Sequence, residues 1–105
     1  MKTILLVCSA GMSTSLLVTT MEIAAQEAGD EIKIFALPFS ETQKVLEEVD
    51  CILLGPQVRF QKTAIEKIAK ERKNGEIPVS VIDMRDYGTM NGKAVYEHAC
   101  QLLGK

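Results

Sequence analysis

Residues 2–28 read KTILLVCSAGMSTSLLVTTMEIAAQEA, and this stretch decides the fold. Residues 2–7 are predicted to form a strand, because this run is rich in Ile, Leu and Val, as is typical of a strand buried on both faces. A Ser/Gly/Thr loop over residues 8–15 leads into a helix predicted over residues 14–28. The apolar side chains of this helix recur on one stripe: Leu17, Met21, Ala24, Ala25 and Ala28. Gly29 is placed to end the helix.

The same alternation of strand and helix repeats along the rest of the chain. Apolar or alternating segments predict further strands, at residues 32–36, 51–54 and 79–82. Helices are predicted between and after them, at residues 41–48, 59–73 and 89–103. Ser40 has the residue type of an N-cap, with Gln43 as its capping-box partner. Gly55-Pro56 and Asn74-Gly75 are breaker pairs that end a strand and a helix.

Strands that alternate with helices indicate an α/β fold with an open, four-stranded parallel sheet and helices on both faces. Right-handed crossovers leave few topologies, and we predict the flavodoxin-like strand order 2-1-3-4 in a single domain over residues 1–105. In that order the carboxyl ends of strands 1 and 3 lie side by side. Ligands of open α/β sheets bind there, and Cys8 follows strand 1 directly.

Composition excludes several classes of function. The formal net charge of −2 gives no basic footprint for nucleic acid. The longest apolar runs are strand-sized, and the run after Met1-Lys2 is too short for a signal peptide, so we expect no membrane insertion and a cytoplasmic protein. Three widely spaced cysteines do not form a disulfide framework. The spacing of His, Cys and Asp implies no metal, and we expect no cofactor.

The loop after strand 1 has the composition of an anion cradle that starts with a nucleophile. It consists of Cys8, Ser9, Ala10, Gly11, Met12, Ser13, Thr14 and Ser15. Backbone N–H groups at a helix N-terminus bind phosphate, and four hydroxyl groups in the loop add donors. The positive end of a helix also favours the thiolate form of cysteine, which is the nucleophile. A cysteine at a strand end is otherwise often a small core residue, but a core cysteine needs no such loop after it.

Other polar residues follow strands 3 and 4 and are candidates for the border of the site. Gln57 and Arg59 follow strand 3, with Phe60 on a possible docking surface; a plain strand-to-helix turn is the alternative. Asp86 and Tyr87 follow strand 4, where a turn that starts the last helix is the favoured interpretation. We expect Cys51 and Cys100 to be core residues and His98 to be a helix-face residue, not a phosphoryl donor.

Three segments resemble the enzyme IIB components of the bacterial phosphoenolpyruvate-dependent sugar phosphotransferase system, lactose/cellobiose family. They are ILLVCSAGMSTSLLV (4–18), LLGPQVRF (53–60) and DMRDYGTMNG (83–92). The resemblance implies a phosphotransferase that accepts phosphate from a phosphohistidine of a IIA partner onto Cys8. The phosphocysteine would then donate to a sugar of the cellobiose, lactose or chitobiose class held by a membrane IIC transporter. We expect the protein to be a monomer.

Two other functions fit the same fold. The loop also resembles that of the low-molecular-weight protein tyrosine phosphatases, in which Cys-x5-Arg joins strand 1 to helix 1. Thr14 stands where that family has its phosphate-binding arginine, and a hydrolase needs the guanidinium fork. A flavodoxin-like module that binds FMN is the third possibility, but aromatic residues make up only 5% of the chain and leave few rings to stack on a flavin.

Overall fold

The computed structural model describes residues 2–8, 12–73 and 75–104, without the side chains of residues 12–14. The strands are β1 (Lys2–Val7), β2 (Ile32–Leu37), β3 (Cys51–Leu54) and β4 (Val79–Val81). The α-helices are α1 (Met12–Glu27), α2 (Phe39–Val45), α3 (Lys62–Lys70), α4 (Met84–Gly88) and α5 (Gly92–Leu102). Short 3₁₀ segments cover Leu46–Glu48 and Pro56–Gln61.

The four strands form one parallel sheet in the order β2-β1-β3-β4, so the predicted topology is confirmed. Val7 at the end of β1 is aligned with Leu37 of β2 and with Leu54 of β3. The carboxyl ends of these three strands therefore lie at one edge of the sheet. Cys8 comes directly after this edge, at the end of a strand that has neighbours on both sides.

Each face of the sheet has its own apolar core, because alternate side chains of a strand point to opposite faces. Ile4 and Leu6 pack with residues of α1 and α5 on one face. Leu5 and Val7 pack with the 3₁₀ segment Leu46–Glu48 and with α3 on the other. Helices therefore cover both faces, as predicted, and β1 is rigidly held at the position from which Cys8 extends.

Helix α1 ends as predicted and begins two residues earlier than predicted. Gly29 has φ +74°, and the Asp30 N–H donates to the Ala25 carbonyl at 3.0 Å, which is the C-terminal motif that glycine allows. At the other end the helix already includes Met12 and Ser13. Much of the predicted loop is therefore the first turn of the helix, where N–H groups lack a partner inside the helix.

The prediction of Ser40 as an N-cap was wrong. Pro38 occupies the N-cap position with φ −71° and ψ 163°, and no side chain caps the helix. Proline has this φ built in, and Phe39 packs against the core, so the chain turns into α2 before it reaches Ser40.

The helix predicted over residues 59–73 was wrong at both ends. The chain first forms the 3₁₀ segment Pro56–Gln61, which is interrupted at Val58 with φ −116° and ψ 21° because that side chain is buried in the core. Helix α3 then ends at Lys70. Arg72 lies beyond the helix, and its guanidinium donates to the carbonyls of Leu46, Glu47 and Gly75 at 2.8–3.0 Å.

The predicted helix over residues 89–103 is preceded by a separate short helix that the prediction missed. Asp83 caps α4, since its Oδ1 accepts from the Arg85 N–H at 2.8 Å. Asn91 caps α5 in the same way, accepting from the Ala94 N–H at 3.1 Å. Met90 between the two helices has φ +53°, a conformation that no helix continues through. Asp86 and Tyr87 therefore lie within α4 and not in a turn.

Candidate functional site

Cys8 lies at the carboxyl end of the central strand and is nearly enclosed. Its backbone N–H donates to the Leu37 carbonyl at 3.3 Å, which extends the pairing with β2 by one residue. The residue is 7% exposed. The next described residue is Met12, at the start of α1. Along the chain, Cys8 thus lies between the carboxyl end of β1 and the start of the sixteen-residue helix α1.

The predicted cradle is only partly described. Ser9, Ala10 and Gly11 lie outside the described residues, as do the side chains of Met12, Ser13 and Thr14. Ser15 is exposed, and its carbonyl accepts from the Thr19 hydroxyl at 3.2 Å within the helix. The contact of this loop with phosphate therefore stays a prediction.

Gly55 joins the end of β3 to the end of β1 and leaves room for two of the predicted border residues. Its N–H donates to the Val7 carbonyl at 2.9 Å, one residue before Cys8. A methyl group built at position 55 would lie 3.1 Å from Gln57 Oε1 and 3.5 Å from Tyr87 Cε2. Gln57 and Tyr87 therefore converge from different segments on the carboxyl end of β1, where a side chain larger than that of glycine would displace Gln57 slightly and come into van der Waals contact with Tyr87.

These two residues belong to a groove of about 570 Å³ that we call the Phe60 groove. It is lined by Pro56, Gln57, Arg59, Phe60, Met84, Tyr87 and Gly88. Tyr87 is buried at the inner part of the groove, Gln57 is exposed beside it, and Phe60 and Met84 are exposed at the outer part. The structure thus brings together three of the predicted border residues, Gln57, Arg59 and Tyr87.

Asp86, the remaining border candidate, lines a different cavity together with His98 and Val95. His98 lies half-buried on α5, and its Nε2 is 2.9 Å from the hydroxyl oxygen of Ser80 on β4.

Within the described residues no group of three or more His, Cys, Asp or Glu side chains is arranged to hold a metal.

The two other cysteines lie on the α5 side of the sheet. Cys51 is fully buried, as predicted, and Cys100 is half-buried against the same core. Burial, with smaller contributions from the nearby Asp50 carboxylate and from Cys100, raises the pKa of the Cys51 thiol from 9.0 to about 12. A thiol held neutral in this way is inert.

The raised pKa of Cys51 predicts a loss of stability in alkali. The unfolded chain releases this proton near pH 9 and the folded protein only near pH 12, so the stabilisation is complete below pH 9 and decreases between those values. The limiting slope from one such group is about 1.4 kcal/mol per pH unit. Urea unfolding from pH 8 to pH 11 should show a shallower decrease in Cys51→Ala than in the wild type. Equal slopes in the two proteins would contradict the prediction.

The sequence did not single out Met84 or Gly88 as neighbours of the site. Asp83 was the available signal for both, because an aspartate before an apolar residue is a common helix N-cap. A cap there predicts α4 and places Met84, Tyr87 and Gly88 on one short element. Gly55 lies in the segment that was expected to border the Cys8 loop, but its close approach to Gln57 and Tyr87 is a tertiary contact that no local sequence pattern contains.

No described helix is long and apolar enough to cross a bilayer.

A family model described as "PTS system, Lactose/Cellobiose specific IIB subunit" matches residues 3–98. Among curated proteins, the oligo-beta-mannoside-specific EIIB component of the PTS system of Bacillus subtilis is 45% identical and covers 98% of this chain and 97% of its own length. The galactose-specific and cellobiose-specific EIIB components of Lactococcus lactis are 42% and 41% identical, and each match covers 97% of this chain and 96% of the relative.

Solved structures of IIB components are also similar to this chain. The cellobiose-specific phosphotransferase IIB component of Borrelia burgdorferi has a TM-score of 0.79 at 41% identity, and the match covers 98% of this chain and 92% of that one. The lactose-specific IIB domain of the phosphoenolpyruvate:carbohydrate phosphotransferase system of Streptococcus pneumoniae has a TM-score of 0.81 at 15% identity, with 95% of each chain covered. Because it is only 15% identical, the Streptococcus pneumoniae domain supports the fold alone.

Proposed function

Because the chain belongs to the lactose/cellobiose-specific IIB family, it is a phosphotransferase of the sugar phosphotransferase system, and we propose that Cys8 carries its phosphate. In this proposal the donor is a phosphohistidine on a IIA protein. The acceptor is a sugar held by a membrane IIC transporter, and the chain works as a monomer in the cytoplasm.

The position of Cys8 is the observation that carries the proposal. It follows the central strand and precedes the N-terminal turn of α1. The unpaired N–H groups of that turn favour an anion, first the thiolate and then the bound phosphoryl group. The same donors lower the energy of the transition state between these two species, because negative charge stays in one place throughout.

The two steps balance without a cofactor. In the first, the Cys8 thiolate supplies the electron pair of the new S–P bond, and the donor imidazole nitrogen keeps the pair of the broken N–P bond. In the second, a sugar hydroxyl oxygen attacks phosphorus and the S–P pair returns to Cys8 as a thiolate. The hydroxyl proton passes to a base on the transporter. Positioning and electrostatic stabilisation are the main contributions of the protein to such transfers.

Two features favour a carrier over a hydrolase of the tyrosine phosphatase type. Thr14 offers a hydroxyl where a phosphatase has the arginine that neutralises the transferring phosphoryl group. Cys8 is also only 7% exposed, which limits the approach of water to its side chain. Both features favour a phosphocysteine that lasts until the next protein arrives.

We propose that the transporter, and not this chain, selects the sugar. Relatives that are 41–45% identical to this chain are specific, by name, for oligo-beta-mannoside, galactose and cellobiose. Such different sugars on closely similar IIB chains are expected if the sugar pocket lies on another protein. A sugar of the cellobiose, lactose or chitobiose class fits this series.

The test is the intact mass of the protein after incubation with phosphoenolpyruvate, the two general phosphotransferase proteins and the matching IIA. We expect one phosphate adduct, which disappears when IIA is omitted. The isolated protein should release no product from an aryl phosphate. No adduct in the presence of confirmed phospho-IIA, or steady aryl phosphate turnover, would contradict the carrier function and favour the hydrolase.

A further inference from the structure

The Phe60 groove has a feature that the chemistry of Cys8 leaves unexplained. Phe60 is 76% exposed and Met84 is 64% exposed, on two segments that face each other across the groove. Large apolar side chains that cluster at an exposed concave surface mark an interaction site more often than scattered single ones do. Exposed aromatic and methionine side chains are also enriched at protein interfaces.

The groove is continuous with the site. Two of its lining residues, Gln57 and Tyr87, lie close to Gly55, whose N–H donates to the carbonyl of Val7, the residue before Cys8. A protein that fills the outer part of the groove therefore has its neighbouring side chains above the carboxyl end of β1. Cys8 follows this end of β1 directly, so a donor held in the groove lies next to the segment that carries the proposed phosphate site.

The charge of the groove indicates which of the two proposed partners, the IIA donor or the IIC transporter, binds there. Within the described residues the Arg59 guanidinium has neither an ion pair nor a hydrogen bond, whereas the neighbouring Lys62 lies 4.0 Å from Glu66. Arg59 thus contributes an unneutralised positive charge to an otherwise largely apolar surface. A phosphorylated donor brings negative charge to this point, and a transporter that presents a neutral sugar does not.

We infer that the Phe60 groove is the docking site of the phosphohistidine-bearing donor protein. Phe60 and Met84 receive apolar side chains of the donor, and Arg59 attracts the phosphoryl group and acidic residues around it during approach. The inference rests on the proposed function, because it assumes that phosphate reaches Cys8 from another protein. The transporter is the competing occupant, and the test separates the two.

The experiment measures the initial rate of phosphate transfer from phospho-IIA to the protein at increasing phospho-IIA concentration. We expect Phe60→Ala to lower kcat/KM by about 10- to 30-fold, mainly through KM, as for an aromatic residue at the centre of an interface. We expect Arg59→Gln to weaken the dependence of the rate on ionic strength, because long-range attraction is screened by salt.

Matched controls are available in the same chain. Ile23 is 51% exposed on α1, well beyond its first turn, so Ile23→Ala removes exposed apolar surface elsewhere. Lys70→Gln removes an exposed positive charge at the far end of α3. Both variants should transfer phosphate at the wild-type rate. Alkylation of Cys8 by iodoacetamide should proceed equally fast in the wild type and in Phe60→Ala, which shows that the thiol itself is undisturbed.

Each of the other outcomes contradicts either the proposed docking site or the carrier function. An unchanged kcat/KM in Phe60→Ala, with the wild type phosphorylated normally, overturns the groove as the donor site and leaves the carrier function intact. Normal loading of Phe60→Ala followed by slow transfer to sugar on transporter-containing vesicles assigns the groove to the transporter and also overturns the inference. No phosphate on the wild type overturns the carrier function itself, and the inference with it.

Discussion

Replacing Cys8 with serine is expected to abolish sugar phosphorylation by the complete system, a loss on the order of 10³-fold or more, as for other single nucleophile replacements. The serine hydroxyl is not ionised at neutral pH, and nucleophilic serines depend on an adjacent base. Any phosphoserine that did form would be a phosphate monoester, which is among the least reactive groups in water. The measurement is the rate of sugar phosphate formation by transporter-containing vesicles supplied with IIA and each variant.

Cys100→Ser is the matched control for this replacement. Cys100 is half-buried on α5, so the same change of sulfur to oxygen is made where no transfer chemistry is proposed. Cys51 is less suitable because a hydroxyl there would be fully buried. We expect Cys100→Ser to keep wild-type activity. Activity of Cys8→Ser above a few per cent of the wild type would show that phosphate reaches the sugar by another route.

The second large effect is expected from Gly92→Ala at the start of α5. A methyl group at position 92 would lie 2.5 Å from the carbonyl carbon of Thr20 and 2.6 Å from the nitrogen of Met21. These are backbone atoms of α1 and cannot rotate away, so α1 and α5 must separate. We expect the free energy of unfolding to decrease by roughly 2–3 kcal/mol, the upper range for overpacking, despite the better helix propensity of alanine. Urea unfolding followed by circular dichroism measures this change.

Gly88→Ala is the control, since a methyl group at position 88 meets no atom within 4 Å and the glycine has no positive φ. We expect its stability to equal or slightly exceed that of the wild type. Because α1 also presents the N-terminal turn beside Cys8, Gly92→Ala should lower the rate of phosphate loading as well. A stable Gly92→Ala protein would contradict the close packing of α1 on α5.

The strands were predictable because the hydrophobic pattern that indicates each strand lies almost entirely within the residues of that strand. β1 and β3 are continuous apolar runs, and both lie between two layers of helices, as such runs indicate. The helix ends were less predictable because distant groups decide them. Arg72 falls within the helix predicted over residues 59–73, but it lies beyond α3 and its side chain donates to carbonyls 25 and 26 residues earlier in the chain. No local pattern contains that contact.

The candidate site was likewise predictable where a local pattern decides the structure, and not where contacts between distant segments decide it. The place of Cys8 at the sheet edge follows from one strand, one loop and the rule for parallel sheets. The grouping of Gln57, Arg59 and Tyr87 in one groove, without Asp86, depends on how α4 is turned about its axis. Neighbouring helical residues point about 100° apart, so Asp86 and Tyr87 face different cavities. This separation becomes evident only when residues 84–88 are recognised as a helix.

The central claim is that the phosphate resides on Cys8, and its most direct test is to locate the phosphate in the loaded protein. The protein is digested quickly near neutral pH after loading by phospho-IIA, and the phosphopeptide is fragmented in a mass spectrometer. We predict a phosphate on Cys8 in the peptide that follows Lys2, which transfers away when sugar and transporter are added. Phosphate on His98, or on a loop hydroxyl such as that of Ser13, would contradict the account.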